Sequence, residues 1–490
     1  MILYLSGHDF HYEMENLCRV FFPMEEIRCT KEPAEGARVI SAVLSMQNAQ
    51  AVITVYAQVD GKSAYQVRQI GTDGEAREKE YELCMAQALF NALQEITGYT
   101  PAWGILTGVR PAKLMHRLVE EEGSAEAAKV YFHEKLMVSE KKTELALKVA
   151  QAQTPVYRLS RPESYSLYVS IPFCPTRCSY CSFVSHSMNT AKKLMPEYVR
   201  LLSHELAGIG KTAKELGLRL ETIYFGGGTP TTLSAENFLF LDQTIHDNFD
   251  LSFLREYTVE AGRPDTVTPE KLTAMKQSGV DRISINPQTL NDAVLEHIGR
   301  RHTAQQALDA YAMARAHGFD NINMDLIAGL PMDTLESYHH TLETVLALEP
   351  ESITVHTLAL KRSSSLVTQG EETVEMSAGL TGKMLDETAD SFPAKGYYPY
   401  YMYRQSRCVG NLENVGWCLA GKESLYNVFM MDEIHTVLAA GAGAVTKLKA
   451  PQGPYLERVF NFKYPYEYIS RFDELMERKN KIPAFYEKYR

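Results

Sequence analysis

Tyr168 to Phe183 reads YVSIPFCPTRCSYCSF, with cysteines at Cys174, Cys178 and Cys181 in the spacing C-x3-C-x2-C. The alternating, β-branched segment Leu167–Ile171 precedes them and is closed by Pro172, which reads as a strand feeding a short loop. Three thiols on one short loop can fold around a single soft metal centre, either an iron–sulfur cluster or zinc. Zinc in a structural site wants four ligands, and His186 is the nearest candidate for a fourth. Three thiolates on a cubane leave one iron open to bind something else. The plainest alternative is three unrelated buried cysteines.

Working outward, six β-rich segments alternate with helical ones. The strands are Leu167–Ile171, Glu221–Phe225, Glu256–Glu260, Arg282–Asn286, Asn321–Ile327 and Ser352–Leu358. Apolar periodicity places helices at Met195–Leu216, Ala235–Asp247, Pro269–Gly279, Ala304–Gly318 and Thr334–Leu348. Ser234 and Asp333 suit N-caps, and Gly279 and Gly318 suit helix stops. Strand–helix alternation predicts a parallel sheet with right-handed crossovers, and where such a sheet closes into a barrel the functional residues sit at the C-terminal strand ends.

Residues 1–160 read as a separate α+β module, 161–360 as the repeating core, and 361–490 as a C-terminal extension or lid. The first module has strands near Ile2–Leu5, Arg38–Met46, Ala51–Gln58 and Tyr65–Ile70, with a turn at Asp60–Gly61. Helices are expected from Glu75 onward, at Pro111–Glu121 and at Ala125–Gln153. The phrase WGILTGVRPAK, Trp103–Lys113, reads as a loop and helix start that seats this module, or as a contributor to a substrate site. In the extension a helix is expected near Leu380–Pro393, and five tyrosines in seven residues, Tyr397–Tyr403, precede Arg404.

A chain of 490 residues exceeds one ordinary core, and 45% hydrophobic content suits a folded protein. Net charge of −11 argues against a broad nucleic-acid or anionic-membrane footprint. The N-terminus lacks a basic leader, and no apolar run is long enough to span a membrane, so a cytoplasmic location is expected. Cys18, Cys29, Cys84, Cys408 and Cys418 show no ligand-like spacing and read as packed thiols.

The cysteine spacing at a strand-to-loop junction, with Tyr180 before the last cysteine, resembles the radical S-adenosylmethionine (SAM) superfamily. The wider phrase, with Tyr168 six residues before Cys174, resembles its oxygen-independent coproporphyrinogen III oxidase branch. The resemblance implies an α/β partial (β/α)6 TIM-like barrel. It also implies a 4Fe–4S cluster on Cys174, Cys178 and Cys181 whose open iron is chelated by SAM.

Gly226–Pro230, GGGTP, directly follows the second strand and is similar to the family's glycine motif, which puts Gly227, Gly228 and Thr229 beside SAM. Glu260, Gln288, Arg300, Asp325 and Ala359, together with Tyr168, match the order and spacing of the family's SAM-contacting set. The implied reaction is oxidative decarboxylation of coproporphyrinogen III propionates to vinyl groups, fed by a one-electron donor such as flavodoxin or ferredoxin. Arg301, Arg362 and Arg404 are the candidates to grip substrate carboxylates.

Two other activities fit the same resemblance. One is a heme carrier that keeps the cluster, with His356 or the tyrosines of 397–403 as axial ligands. The other is a different radical reaction on a tetrapyrrole, such as methylation with ring opening. Phe183 stands where the best-understood relatives carry a fourth cysteine, so the placement of a second SAM stays open.

Overall fold

In the computed structural model the described residues are 1–47, 50–71, 77–181, 183, 186–359, 372–405 and 407–489. They pack into two compact units, one chiefly Met1–Ala150 with Tyr403–Glu413, the other chiefly the chain from Gln151 onward.

The first unit holds a five-stranded sheet. Its strands are β1 (Ile2–Ser6), β2 (Arg28–Thr30), β3 (Arg38–Gln47), β4 (Gln50–Val59) and β5 (Lys62–Gly71), in the order β2-β1-β3-β4-β5. β1 runs parallel to both neighbours, and β3 to β5 form an antiparallel meander. Asp60 and Gly61 both take positive φ, 50° and 82°, as a two-residue hairpin demands. Helices α1 (His11–Phe21) and α2 (Arg77–Thr97) bury Met14, Leu17, Leu89 and Leu93 with Leu3, Ile40, Ile53 and Val55 of the sheet.

The helix expected over Ala125–Gln153 is broken into Ala125–Val130, a π turn at Tyr131–Lys135, and Glu140–Tyr157. Met137 takes φ of 58°, and the break lets Leu136 O accept from Ile105 N while Ser139 N donates to Ala102 O. Gly104 is required there, because a Cβ would lie 2.1 Å from Leu136 O.

The second unit is built on six parallel strands. They are β6 (Ser164–Ile171), β7 (Arg219–Gly227), β8 (Glu256–Glu260), β9 (Arg282–Ser284), β10 (Ile322–Ala328) and β11 (Ser352–Thr357), adjacent in chain order. Helices α3 (Met195–Glu215), α4 (Ala235–Asn248), α5 (Pro269–Gln277), α6 (Ala304–Ala316) and α7 (Leu335–Ala347) make the crossovers. This is the expected partial (β/α)6 barrel. Ser234 caps α4 by accepting from Asn237 N. Thr334, not Asp333, caps α7, because its hydroxyl meets Ser337 N while Asp333 accepts from Thr334 N.

The C-terminal segment is not a separate third body. β12 (Tyr398–Arg404) and β13 (Glu413–Cys418) extend the sheet beyond β11, and β14 (Thr436–Ala440), β15 (Val445–Lys449) and β16 (Leu456–Phe460) extend it beyond β6. Helix α8 (Leu425–Asp432) starts on Glu256, whose carboxylate accepts from Ser424 Oγ, Leu425 N and Tyr426 N at 3.1, 2.6 and 3.3 Å. That anchor satisfies the helix's first amides and aims Tyr426 among the barrel strands.

Candidate functional site

The cysteine loop begins where β6 ends. Phe173 and Cys174 pair with His186 and Ser187, and the loop between is tied down by Ser179 N to Ile298 O at 3.0 Å and Thr176 Oγ1 to Gly299 O at 3.1 Å. None of the three cysteines is in a disulfide among the described residues, and all are half-buried. Burial pushes the Cys181 thiol up to about 11, with the Phe183 amide pulling the other way. Among the described residues no three Cys, His, Asp or Glu side chains converge closely enough to hold a metal ion. His186 does not join the thiols; its ring stands edge-on to Tyr464 and Tyr466 at 6.0 and 6.2 Å.

The glycine arm runs beside this loop. Gly228 N donates to Ile171 O at 2.8 Å and Thr229 N to Phe173 O at 2.7 Å. Thr229 Oγ1 thereby reaches Cys174 Sγ at 3.4 Å. Gly227 takes φ of 105°, and a Cβ on Gly228 would lie 2.6 Å from Phe173 O, so only glycine fits. Arg263 Nη1 lies 3.9 Å from Cys178 Sγ. The donor chemistry fits a thiolate-held iron–sulfur cluster: three soft ligands on one loop, two of them facing hydrogen-bond donors of the kind that tune such clusters.

Between the strands lies a tyrosine stack. Tyr224 packs on Tyr426 with centroids 4.2 Å apart, and Tyr168 stacks with both at 6.2 Å. Tyr224 Oη donates to Glu260 Oε1 at 2.6 Å. Burial raises the Glu260 carboxyl to about 7, against the Tyr224 hydrogen bond that lowers it. Asp325 behaves oppositely. Burial, the largest influence, would raise it, but His356, Asn323 and Thr354 together hold it below the usual carboxylate range. Asn323 Nδ2 donates to Asp325 Oδ1 at 2.7 Å, and His356 Nε2 sits 3.6 Å from Oδ2. Two carboxyls near one another are thus set apart, one easily protonated and one firmly charged.

Gln288 is buried with φ of 70°, its N–H on Asp325 O and its carbonyl taking Ile327 N. The buried Arg300 donates to Tyr180 Oη, Gly262 O and Asn286 O at 2.9, 2.6 and 2.9 Å, so it braces the cysteine loop. Ala359 follows β11, half-buried.

The substrate-facing expectations fare differently. Arg404 is 3% exposed, donates to Leu106 O, Gly108 O and Asn411 O, and its guanidinium lies 5.4 Å from the Trp103 ring. Trp103 Nε1 and Lys142 Nζ both meet Glu413, at 2.7 and 2.5 Å. Trp103 and the carbonyls of Leu106 and Gly108 therefore serve packing within the first unit, and Arg404 is a packing residue there. Tyr397, Tyr400 and Tyr401 are buried and do not wall a macrocycle. Arg301 is exposed. Arg362 lies outside the described residues. The sequence reading missed Tyr224, Tyr426, Asn286 and Arg263. Tyr224 was findable, two residues before the glycines and in register with Tyr168. Tyr426 left no local signal, because it arrives from the far end of the chain.

The chain matches the family model described as Radical SAM superfamily over residues 168–345. It is 35% identical over 484 residues to the "oxygen-independent coproporphyrinogen-III oxidase-like protein HemZ" of Bacillus subtilis, covering 97% of this chain and 96% of that one. It is 32% identical over 321 residues to the "heme chaperone HemW" of the same organism, covering 61% of this chain and 77% of that one. Among solved structures it is similar to coproporphyrinogen III oxidase (HemN) from Escherichia coli, with TM-score 0.51, 22% identity, 66% of this chain and 73% of that one; at this identity the likeness speaks for the fold.

The fold and the cysteine loop define a radical SAM protein, a class that implies a 4Fe–4S cluster and SAM. Within it, the chain belongs to the HemZ family of oxygen-independent coproporphyrinogen-III oxidase-like proteins. Among the described residues no helix is long and apolar enough to cross a membrane.

Proposed function

We propose that this protein oxidatively decarboxylates coproporphyrinogen III, converting propionates to vinyl groups. Cys174, Cys178 and Cys181 would hold the cluster, which with SAM and one electron from an external donor would supply a 5′-deoxyadenosyl radical able to take a hydrogen atom from a propionate; carbon dioxide would then leave and one electron would pass to an external one-electron acceptor. The chain's own residues bind, orient and shield. The glycine arm keeps side chains away from the ligand beside the loop. Tyr224 occupies one oxygen of Glu260 and leaves the other to accept from a SAM hydroxyl or ammonium. Asp325, kept charged by His356 and Asn323, is suited to a second such contact. The tyrosine stack sets buried aromatic rings beside Glu260, surroundings suited to keeping water from a reactive radical.

The observation that carries this reading is the gathering of the cysteine loop, the glycine arm and Glu260 at the C-terminal ends of three neighbouring strands, with Asp325, midway along β10, near enough for its charge to act on Glu260. It stands in a chain similar to a coproporphyrinogen-III oxidase-like protein over nearly its whole length. The test is anaerobic incubation of reconstituted protein with SAM, a reductant and coproporphyrinogen III. Vinyl porphyrinogen with 5′-deoxyadenosine is the expected product pair.

A second reading is favoured by the HemW relative, a heme chaperone. Stoichiometric heme binding without vinyl formation would select it. His356 faces Asp325 and the tyrosines of 397–403 are largely buried, so neither offers an obvious axial ligand.

A further inference from the structure

Beside the cysteine loop lies an ion pair that the SAM contacts do not use, its arginine buried and its aspartate, Asp265, on the exposed side. Arg263 is 4% exposed. Its Nε and Nη2 fork onto Asp265 Oδ1 and Oδ2 at 3.0 and 3.1 Å, which fixes the plane of the guanidinium. Nη1 reaches toward the loop. It donates to Thr176 Oγ1 at 3.1 Å and Thr176 O at 3.4 Å, and lies 3.9 Å from Cys178 Sγ. On the same loop Tyr180 accepts from Arg300, the second buried guanidinium. His302, 3% exposed, adds no anion. The sulfur of Cys178 is therefore met by the positive end of a rigid guanidinium–carboxylate dipole.

We infer that Arg263 tunes the cluster: it holds the loop through Thr176 and raises the reduction potential of iron bound at Cys178. The inference rests on the reading that Cys174, Cys178 and Cys181 hold a cluster. One-electron reduction adds a negative charge to the cluster. A fixed positive charge beside a ligand sulfur, screened from water, stabilises that reduced state more than the oxidised one. Asp265, on the far side of the guanidinium, offsets part of the effect. Removing the arginine should lower the potential, and neutralising Asp265 should raise it.

The experiment uses full-length protein reconstituted anaerobically with iron and sulfide, without SAM. The midpoint potential is read by dithionite titration followed by electron paramagnetic resonance, with iron content measured alongside. Arg263→Gln is expected to cut the ratio of reduced to oxidised cluster at a fixed potential about tenfold, roughly 59 mV for one electron. Asp265→Asn is expected to shift it the opposite way. A residue that only anchors the loop would not give opposite signs. Unmoved potentials, or shifts of one sign in both variants, overturn the inference. If Arg263→Gln holds no iron, Asp265→Asn decides: an upward shift supports the inference and no shift overturns it. Loss of iron from both variants makes Arg263 an anchor only and overturns it as well. A parent that holds no cluster removes the underlying reading, and the inference with it. A loaded parent with unmoved variants removes the inference alone.

Discussion

Replacing Glu260 by Gln should stabilise the ligand-free protein at pH 8 and leave it nearly unchanged at pH 5. Burial raises this carboxyl from its ordinary 4.5 to about 7, with the Tyr224 hydrogen bond lowering it and the nearby Asp325 charge raising it further. The folded state then holds a proton that the unfolded chain has released between those values. Such a group contributes stability that is present below 4.5 and lost as pH rises through about 7. Each unit is worth about 1.36 kcal/mol, so the loss approaches about 3 kcal/mol, reduced by solvent screening at this half-buried strand end. Gln keeps the acceptor for Tyr224 Oη and carries no charge to bury, so its curve should lack the fall. Urea unfolding of both proteins at pH 5 and pH 8 measures the gap directly. Parallel pH profiles would refute the claim that burial holds the Glu260 carboxyl above its ordinary range.

Other perturbations separate the site from its scaffold. Cys178→Ala should abolish iron–sulfur absorption and SAM cleavage, whereas Cys408→Ser, remote from the loop in sequence, should keep both; iron analysis with 5′-deoxyadenosine counting reads the difference. Asp325→Ala should weaken SAM binding by roughly 1–3 kcal/mol with cluster content intact, measured by calorimetry. Gly228→Ala should disturb the arm, because its Cβ would press on Phe173 O and Ile171 O at 2.6 and 2.9 Å; loss of SAM binding with a retained fold is the expected readout. Glu413→Gln should destabilise the first unit by roughly 3–5 kcal/mol, since it strands Lys142 in the interior, and Arg404→Ala should likewise cost stability without uncoupling SAM cleavage from decarboxylation.

The barrel was legible because each of its strands and helices carries its own pattern. Leu167–Ile171 and Ser352–Leu358 read as strands from β-branched runs, and their observed ends differ by only a few residues. The cysteine loop and the glycine arm were legible because both are local in sequence. What escaped was set by contacts distant in sequence. The C-terminal strands looked like an extension, because no local feature says that Thr436–Ala440 lies parallel to Tyr165–Val169. Arg404 looked like a substrate residue because arginine beside tyrosines suits a carboxylated macrocycle; the carbonyls of Leu106 and Gly108 that hold it are some 300 positions away, 298 and 296. Tyr426 became part of the barrel interior only through the grip of Glu256 on its helix start, 170 positions earlier. The helix over Ala125–Gln153 failed because Met137 leaves the helical region to let its neighbours pair with the Ala102–Ile105 segment.

The central claim is that this chain takes a hydrogen atom from a propionate of the tetrapyrrole. The most direct measurement uses coproporphyrinogen III deuterated at the propionate carbon next to the ring, with reconstituted protein, SAM and a reductant under anaerobic conditions. The 5′-deoxyadenosine formed is then analysed by mass spectrometry. Deuterium in that nucleoside, matched to vinyl groups formed, is the predicted result. Unlabelled 5′-deoxyadenosine, with the propionates intact, would contradict it.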